Sequence, residues 1–139
     1  MIRENANSKS EARSSKQYQM SEEGNSKRFD LEERTLQFAR RTRAFVKTLA
    51  KTIGNVEDAR QVIRSSGSVG ANYIEANEAL SKKDFLLHIK ICRKEAKESR
   101  YWLRLIEACD ASTASERESL VQEAQELMNI FGSIVRKSE

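Results

Sequence analysis

From Asp30 onward the chain repeats one pattern four times: a polar residue, then apolar residues at alternating spacings of three and four. That period is the mark of an amphipathic helix with one buried face. The first run carries Leu31, Phe38, Phe45, Leu49 and Ile53, opening at Asp30 with Glu33 three residues on, a capping-box spacing. Gly54 then offers a left-handed stop, and Asn55 with Asp58 reads as the cap of a second helix. Ser81 with Asp84 opens the third, and Ser115 with Glu118, or Thr113 with Glu116, the fourth.

The third run is the most regular. Phe85, Ile89, Cys92, Ala96, Ser99, Leu103 and Ile106 follow spacings of 4, 3, 4, 3, 4 and 3, a heptad seam. Its middle is small, so a facing backbone can approach closely there. At about 1.5 Å per residue, a helix over Lys82 to Ala108 is roughly 40 Å long. The fourth run repeats the spacing through Leu120, Ala124, Leu127, Phe131 and Ile134. The second run holds a stretch of small residues, Ser65 to Asn72, with two glycines. Each interior glycine costs about 1 kcal/mol relative to alanine. Ala59 and Ile63 before the stretch and Tyr73 after it share one heptad phase with Ser66 and Gly70, which favours a continuous, bent helix over a loop. Four helices with short connections predict an all-α, antiparallel four-helix bundle.

Residues 1–28 break the pattern. Serine, asparagine, lysine, glutamate and glutamine dominate, and only Met1, Ile2, Tyr18 and Met20 are large and apolar. Such a segment buries too little to offset its ordering entropy, so a disordered polar tail is expected over 1–28 and the helical domain over 29–139. Met1 and Met20 are both candidate starts. The 139 residues suffice for one domain. No apolar run reaches the length of a bilayer span, and the N-terminus lacks a signal-peptide core, so a cytoplasmic location is expected. Cys92 and Cys109 show no CxxC spacing and read as buried, unbridged thiols.

Candidate chemistry is sparse. A di-iron bundle needs two inward Glu-x-x-His pairs, and the chain has one histidine, His88. Asp84, His88 and Cys92 lie at i, i+4 and i+8, but a cap, a surface histidine and a core thiol explain them better than a metal. Glu75 and Glu78 read as a solvated helix end rather than a catalytic pair. No nucleophile motif is present and no cofactor is implied, so a non-enzyme is expected.

Charge is more telling. The net charge is +4, which by itself decides little. Its distribution is uneven: the first and third helices are basic, the second and fourth acidic. On the third, Lys83, Lys90, Lys94, Lys97, Tyr101 and Arg104 share one phase away from the seam. Arg40, Arg43, Lys47 and Lys51 continue the theme along the first. Basic stripes with an aromatic suit a phosphate backbone; pairing with acids of neighbouring helices or subunits is the other reading. Trp102 and Leu105 sit beside the seam, so this helix is apolar over more than its core stripe, as at a subunit contact.

The stretches Ser68-Val69-Gly70-Ala71-Asn72-Tyr73-Ile74-Glu75-Ala76, Ser81-Lys82-Lys83-Asp84-Phe85, Lys94-Glu95-Ala96 and Tyr101-Trp102-Leu103 resemble the bacterial 23S rRNA intervening-sequence (S23) proteins. Asp30-Leu31-Glu32-Glu33-Arg34-Thr35 is similar to their first helix, and the resemblance runs from about Phe29 to Lys137. It implies an up-down-up-down bundle assembled as a ring-like homopentamer, with no catalytic residues. It also implies a fold shared with the accessory protein of diversity-generating retroelements, a basic pentamer that binds nucleic acid and a reverse transcriptase. The chain departs from the family at Gly70, where many relatives carry proline. The function expected is a nonenzymatic homo-oligomer that binds RNA or DNA as an accessory factor. The alternative is an adaptor for a protein partner, such as a reverse transcriptase, with no nucleic-acid contact of its own.

Overall fold

A computed structural model describes the backbone of residues 14–139 and the side chains from Asp30 onward. Among these residues the protein is all-α, with four helices and no strand: α1 (Ser14–Val46), α2 (Ile53–Asn77), α3 (Lys82–Leu105) and α4 (Ala111–Ser138). The chain divides into two units, Met1–Arg34 and Thr35–Glu139. The first holds the N-terminal part of α1; the second holds the rest of α1 and the other three helices.

Several expected boundaries move. α1 is already helical at Ser14, so Asp30 and Glu33 are interior positions rather than a capping box. Of the tail expected over 1–28, residues 1–13 lie outside the described residues. The first helix ends at Val46, not at Gly54. Leu31, Phe38, Phe45 and Leu49 are buried as the period demands, but Ile53, at 86% exposure, is not on that face. Gly54 sits in the first turn of α2 without a left-handed backbone. The α2 cap is Thr52, whose Oγ1 accepts from Asn55 N at 3.1 Å. Ser81 caps α3 as expected, its Oγ accepting from Asp84 N at 3.0 Å. The α4 cap is Asp110, accepting from Thr113 N at 2.8 Å, not Ser115 or Thr113. A capping pattern read from sequence finds a helix start to within a few residues; here Ser, Thr and Asp cluster, and the backbone chose the earlier one.

α2 runs unbroken through Ser65–Asn72. Within the second unit, neighbouring helices run antiparallel. Ser65 Oγ and Ser99 Oγ share a hydrogen bond of 2.7 Å between α2 and α3, and the Cys92 thiol donates to Val69 O at 3.3 Å. A thiol reaching the backbone of the facing helix requires the close approach that the small residues on both sides permit. Gly70 meets Thr35 of α1: a Cβ there would lie 2.9 Å from Thr35 Oγ1. Arg41 of α1 reaches Glu116 at 3.4 Å and Ser119 at 2.7 Å on α4, and Arg100 of α3 reaches Gln125 of α4. Tyr73 and Phe131, with ring centroids 5.8 Å apart, join α2 to α4.

The heptad seam of α3 holds. Ile89, Cys92, Ala96, Ser99, Leu103 and Ile106 are buried, and Phe85, in the first turn, is half-buried. α3 is shorter than expected and ends at Leu105. On α4, Leu120, Ala124, Leu127 and Phe131 are buried, while Ile134 is half-buried and Val135 takes the core position. Cys109 lies in the α3–α4 loop and is exposed, contrary to the expected buried thiol.

Candidate nucleic-acid interface

The buried seam of α3 sets where its cations go. With 100° of turn per residue, Lys83, Lys90, Lys94, Lys97, Tyr101 and Arg104 fall on the side opposite Cys92 and Ser99. All six are exposed. Lys90 Nζ lies 3.6 Å from Glu139 Oε2, and Lys94 Nζ lies 3.8 Å from Glu95 Oε2. The Lys90 pair is half exposed on both sides, a geometry worth little in water. Lys83, Lys97 and Arg104 form no ion pair among the described residues.

An arginine of the acidic helix α2 explains part of this surplus. Arg64 Nη2 contacts Glu95 Oε1 at 3.2 Å and Glu98 Oε1 at 3.0 Å. The Glu95 side chain is 8% exposed, so its charge is taken largely out of water and needs those partners. Both α3 acids are thereby engaged by α2, and Glu95 is shared with Lys94. This network was not legible beforehand, because it depends on the register of α2 against α3.

The expected stripe on the first helix is split by the true helix end. Arg40 and Arg43 lie on α1 and are exposed; Lys47 lies in the turn after it and Lys51 in the linker to α2, also exposed. Arg43 Nη1 donates to Ala39 O at 3.5 Å. Asn55 gathers this end of the fold. Its Nδ2 donates to Ala50 O at 3.1 Å and to Glu107 O at 3.0 Å, and its Oδ1 accepts from Glu107 N at 3.0 Å. The α1–α2 linker and the α3–α4 loop are therefore tied together. Lys51 and Arg104, each a few residues from the tie, belong to the same end. Arg117 secures that end further, donating to Ile106 O at 2.8 Å beyond the last turn of α3.

Next to the basic face of α3 runs an apolar strip. Leu87 and Leu105 are exposed, at 54% and 47%, and Ile91 and Trp102 are half-buried. Trp102 packs edge-on against Tyr101, centroids 5.1 Å apart and planes at 76°.

The metal alternative finds no geometry. His88 Nδ1 lies 3.0 Å from Asp84 O and 3.4 Å from Asp84 Oδ1, while the Cys92 thiol faces the core. Burial pushes that thiol up to about 12, far from a ligating thiolate at neutral pH. Among the described residues no group of three or more His, Cys, Asp or Glu is placed to hold a metal ion. Glu75 and Glu78 are exposed at the end of α2, where Glu78 is the C-cap. No helix among the described residues is long and apolar enough to cross a membrane.

None of the curated proteins matches the chain. A solved structure from Bacteroides thetaiotaomicron, described as a protein of unknown function from the S23 ribosomal protein family, is 32% identical. It matches with a TM-score of 0.65, over 75% of this chain and 96% of that one. The family model for the 23S rRNA-intervening sequence proteins matches residues 27–133, spanning all of α2 and α3 and most of α4. The chain belongs to the 23S rRNA-intervening sequence protein family.

Proposed function

We propose that this protein is a nonenzymatic, homo-oligomeric four-helix bundle that binds nucleic acid through the basic faces of α1 and α3. The observation that carries the reading is the outer face of α3, where Lys83, Lys97 and Arg104 are exposed and unpaired among the described residues. The nucleic acid is RNA or DNA, and RNA is the one to test first. The working unit is a ring-like pentamer in the cytoplasm, acting as an accessory factor. Trp102 and Leu105, on the apolar strip beside the cations, are the subunit contact.

Phosphate contacts carry such binding, so affinity falls steeply with salt and depends weakly on sequence. The test is a gel shift at moderate salt with Lys94, Lys97 and Arg104 replaced together by glutamate. Removing three phosphate contacts and adding three repulsions should weaken RNA binding more than about tenfold. Unchanged affinity with unchanged helical circular dichroism refutes the reading. A protein-adaptor role is then the survivor, supported by the Lys90–Glu139 pair and the apolar strip.

A further inference from the structure

We infer that the α3 surface takes its nucleic acid as a single strand, with Tyr101 as the platform on which an unpaired base stacks. The inference rests on the nucleic-acid reading above and goes further, to the strand state and to the residue that senses it. Tyr101 is 58% exposed near the C-terminal end of the basic face. Lys97 is four residues before it and Arg104 three after, so cations flank the ring at about 6 Å and 4.5 Å along the helix. Trp102 holds one side of the ring edge-on at 5.1 Å, which fixes its orientation while most of its surface stays open. The carboxylate three residues back, Glu98, is engaged by Arg64 at 3.0 Å.

An open aromatic between cations fits a strand with accessible bases. A duplex keeps its bases stacked inside and offers a helix face mainly phosphates. The deep, narrow major groove of A-form RNA excludes side chains, and α3 lies packed between α2 and α4 rather than projecting as a probe. A single strand presents both groups at once: phosphates for Lys94, Lys97 and Arg104, and an aromatic base face for the ring. The competing use of Tyr101 is its hydroxyl as a donor to phosphate, which requires no unpaired base. The phenylalanine variant separates the two, because it keeps the ring and loses the hydroxyl.

The experiment measures fluorescence anisotropy of the full-length protein with a labelled, unstructured RNA strand of about 15 nucleotides and with a duplex of matched length. Binding to the single strand should be the tighter. Tyr101→Ala should weaken it by about tenfold, within the range seen for losing one base stack, and leave duplex binding unchanged. Tyr101→Phe should stay near wild type. Equal loss in Tyr101→Phe and Tyr101→Ala, no loss in either, or equal loss on duplex and single strand each overturns stacking while leaving phosphate binding intact. Failure of the wild-type protein to bind either RNA at low salt overturns the parent reading and this inference with it.

Discussion

Asn55 separates two accounts of one residue. As a helix cap, Asn55 would be exchangeable with aspartate, since the two cap equally well. As the structure has it, Thr52 caps α2 and Asn55 is 3% exposed, its amide donating to two carbonyls and its oxygen accepting from Glu107 N. Asn55→Ala deletes three hydrogen bonds. At about 0.5–1.5 kcal/mol each the loss is at most about 4.5 kcal/mol. Glu107 is exposed, so water re-satisfies part of its backbone, and about 2 kcal/mol is expected. Asn55→Asp should be worse, about 3 kcal/mol or more, because a carboxylate oxygen replaces the donor and faces Ala50 O and Glu107 O. Its deficit should narrow on acidification, when the protonated carboxyl regains a donor. Urea unfolding followed by far-UV circular dichroism, at one fixed protein concentration, measures both variants. If Asn55→Asp unfolds with wild-type stability, the tie between the two loops is not what holds this end together.

Two glycines in one helix should respond with opposite signs. A Cβ at Gly67 would meet only the Arg43 guanidinium, at 3.7 and 3.9 Å, so Gly67→Ala should stabilise by about 0.5–1 kcal/mol. A Cβ at Gly70 would lie 2.9 Å from Thr35 Oγ1 and 3.2 Å from Thr35 Cβ, so Gly70→Ala should destabilise by about 1–3 kcal/mol. The same unfolding assay decides, and equal shifts for the two would contradict the packing of α1 on α2. At the start of α4, the hydrogen bond from Thr113 N holds the Asp110 carboxyl below its ordinary value. A lowered folded pKa gives stabilisation that is present above the unfolded pKa and is lost as pH falls through the folded one. The stability gap between wild type and Asp110→Ala should therefore be full at neutral pH and close below the usual carboxylate range; a gap indifferent to pH would rule out this cap.

What the sequence disclosed follows from which interactions are local. The heptad seam of α3 was readable because Ile89, Cys92, Ala96, Ser99 and Leu103 are related by the period of one helix, and all are buried. The continuity of α2 through its glycines was readable from phase for the same reason. Helix ends were less so. Thr52, Asn55, Asp110 and Thr113 are all competent caps, and the selection depends on where the neighbouring helices let the chain turn. Asn55 was misread because its real partner is Glu107, fifty-two positions away. Ile53 was assigned to the face of α1, which ends at Val46, and Cys109, expected to be buried, falls in the loop after α3.

The candidate surface was half legible on the same principle. One periodicity places Lys83, Lys97, Tyr101 and Arg104 on a shared face. Whether those cations are spent internally is a question of register, and Arg64 supplies the answer. It engages Glu95 and Glu98 from the α2 side, which leaves Lys94 as the outer-face lysine that shares Glu95. The like-charged i,i+4 pairs Lys90–Lys94, Arg93–Lys97 and Arg100–Arg104 each cost a few tenths of a kcal/mol in an isolated helix. A single acid among them would relieve that cost, as Glu139 does for Lys90 at 3.6 Å. Lys97 and Arg104, on either side of the exposed Tyr101 ring, go without such relief among the described residues. A surface built for stability alone would intersperse its signs there. An unrelieved run of positive charge is what a polyanion requires, and that physical asymmetry, more than the net charge, is why α3 is the face to test.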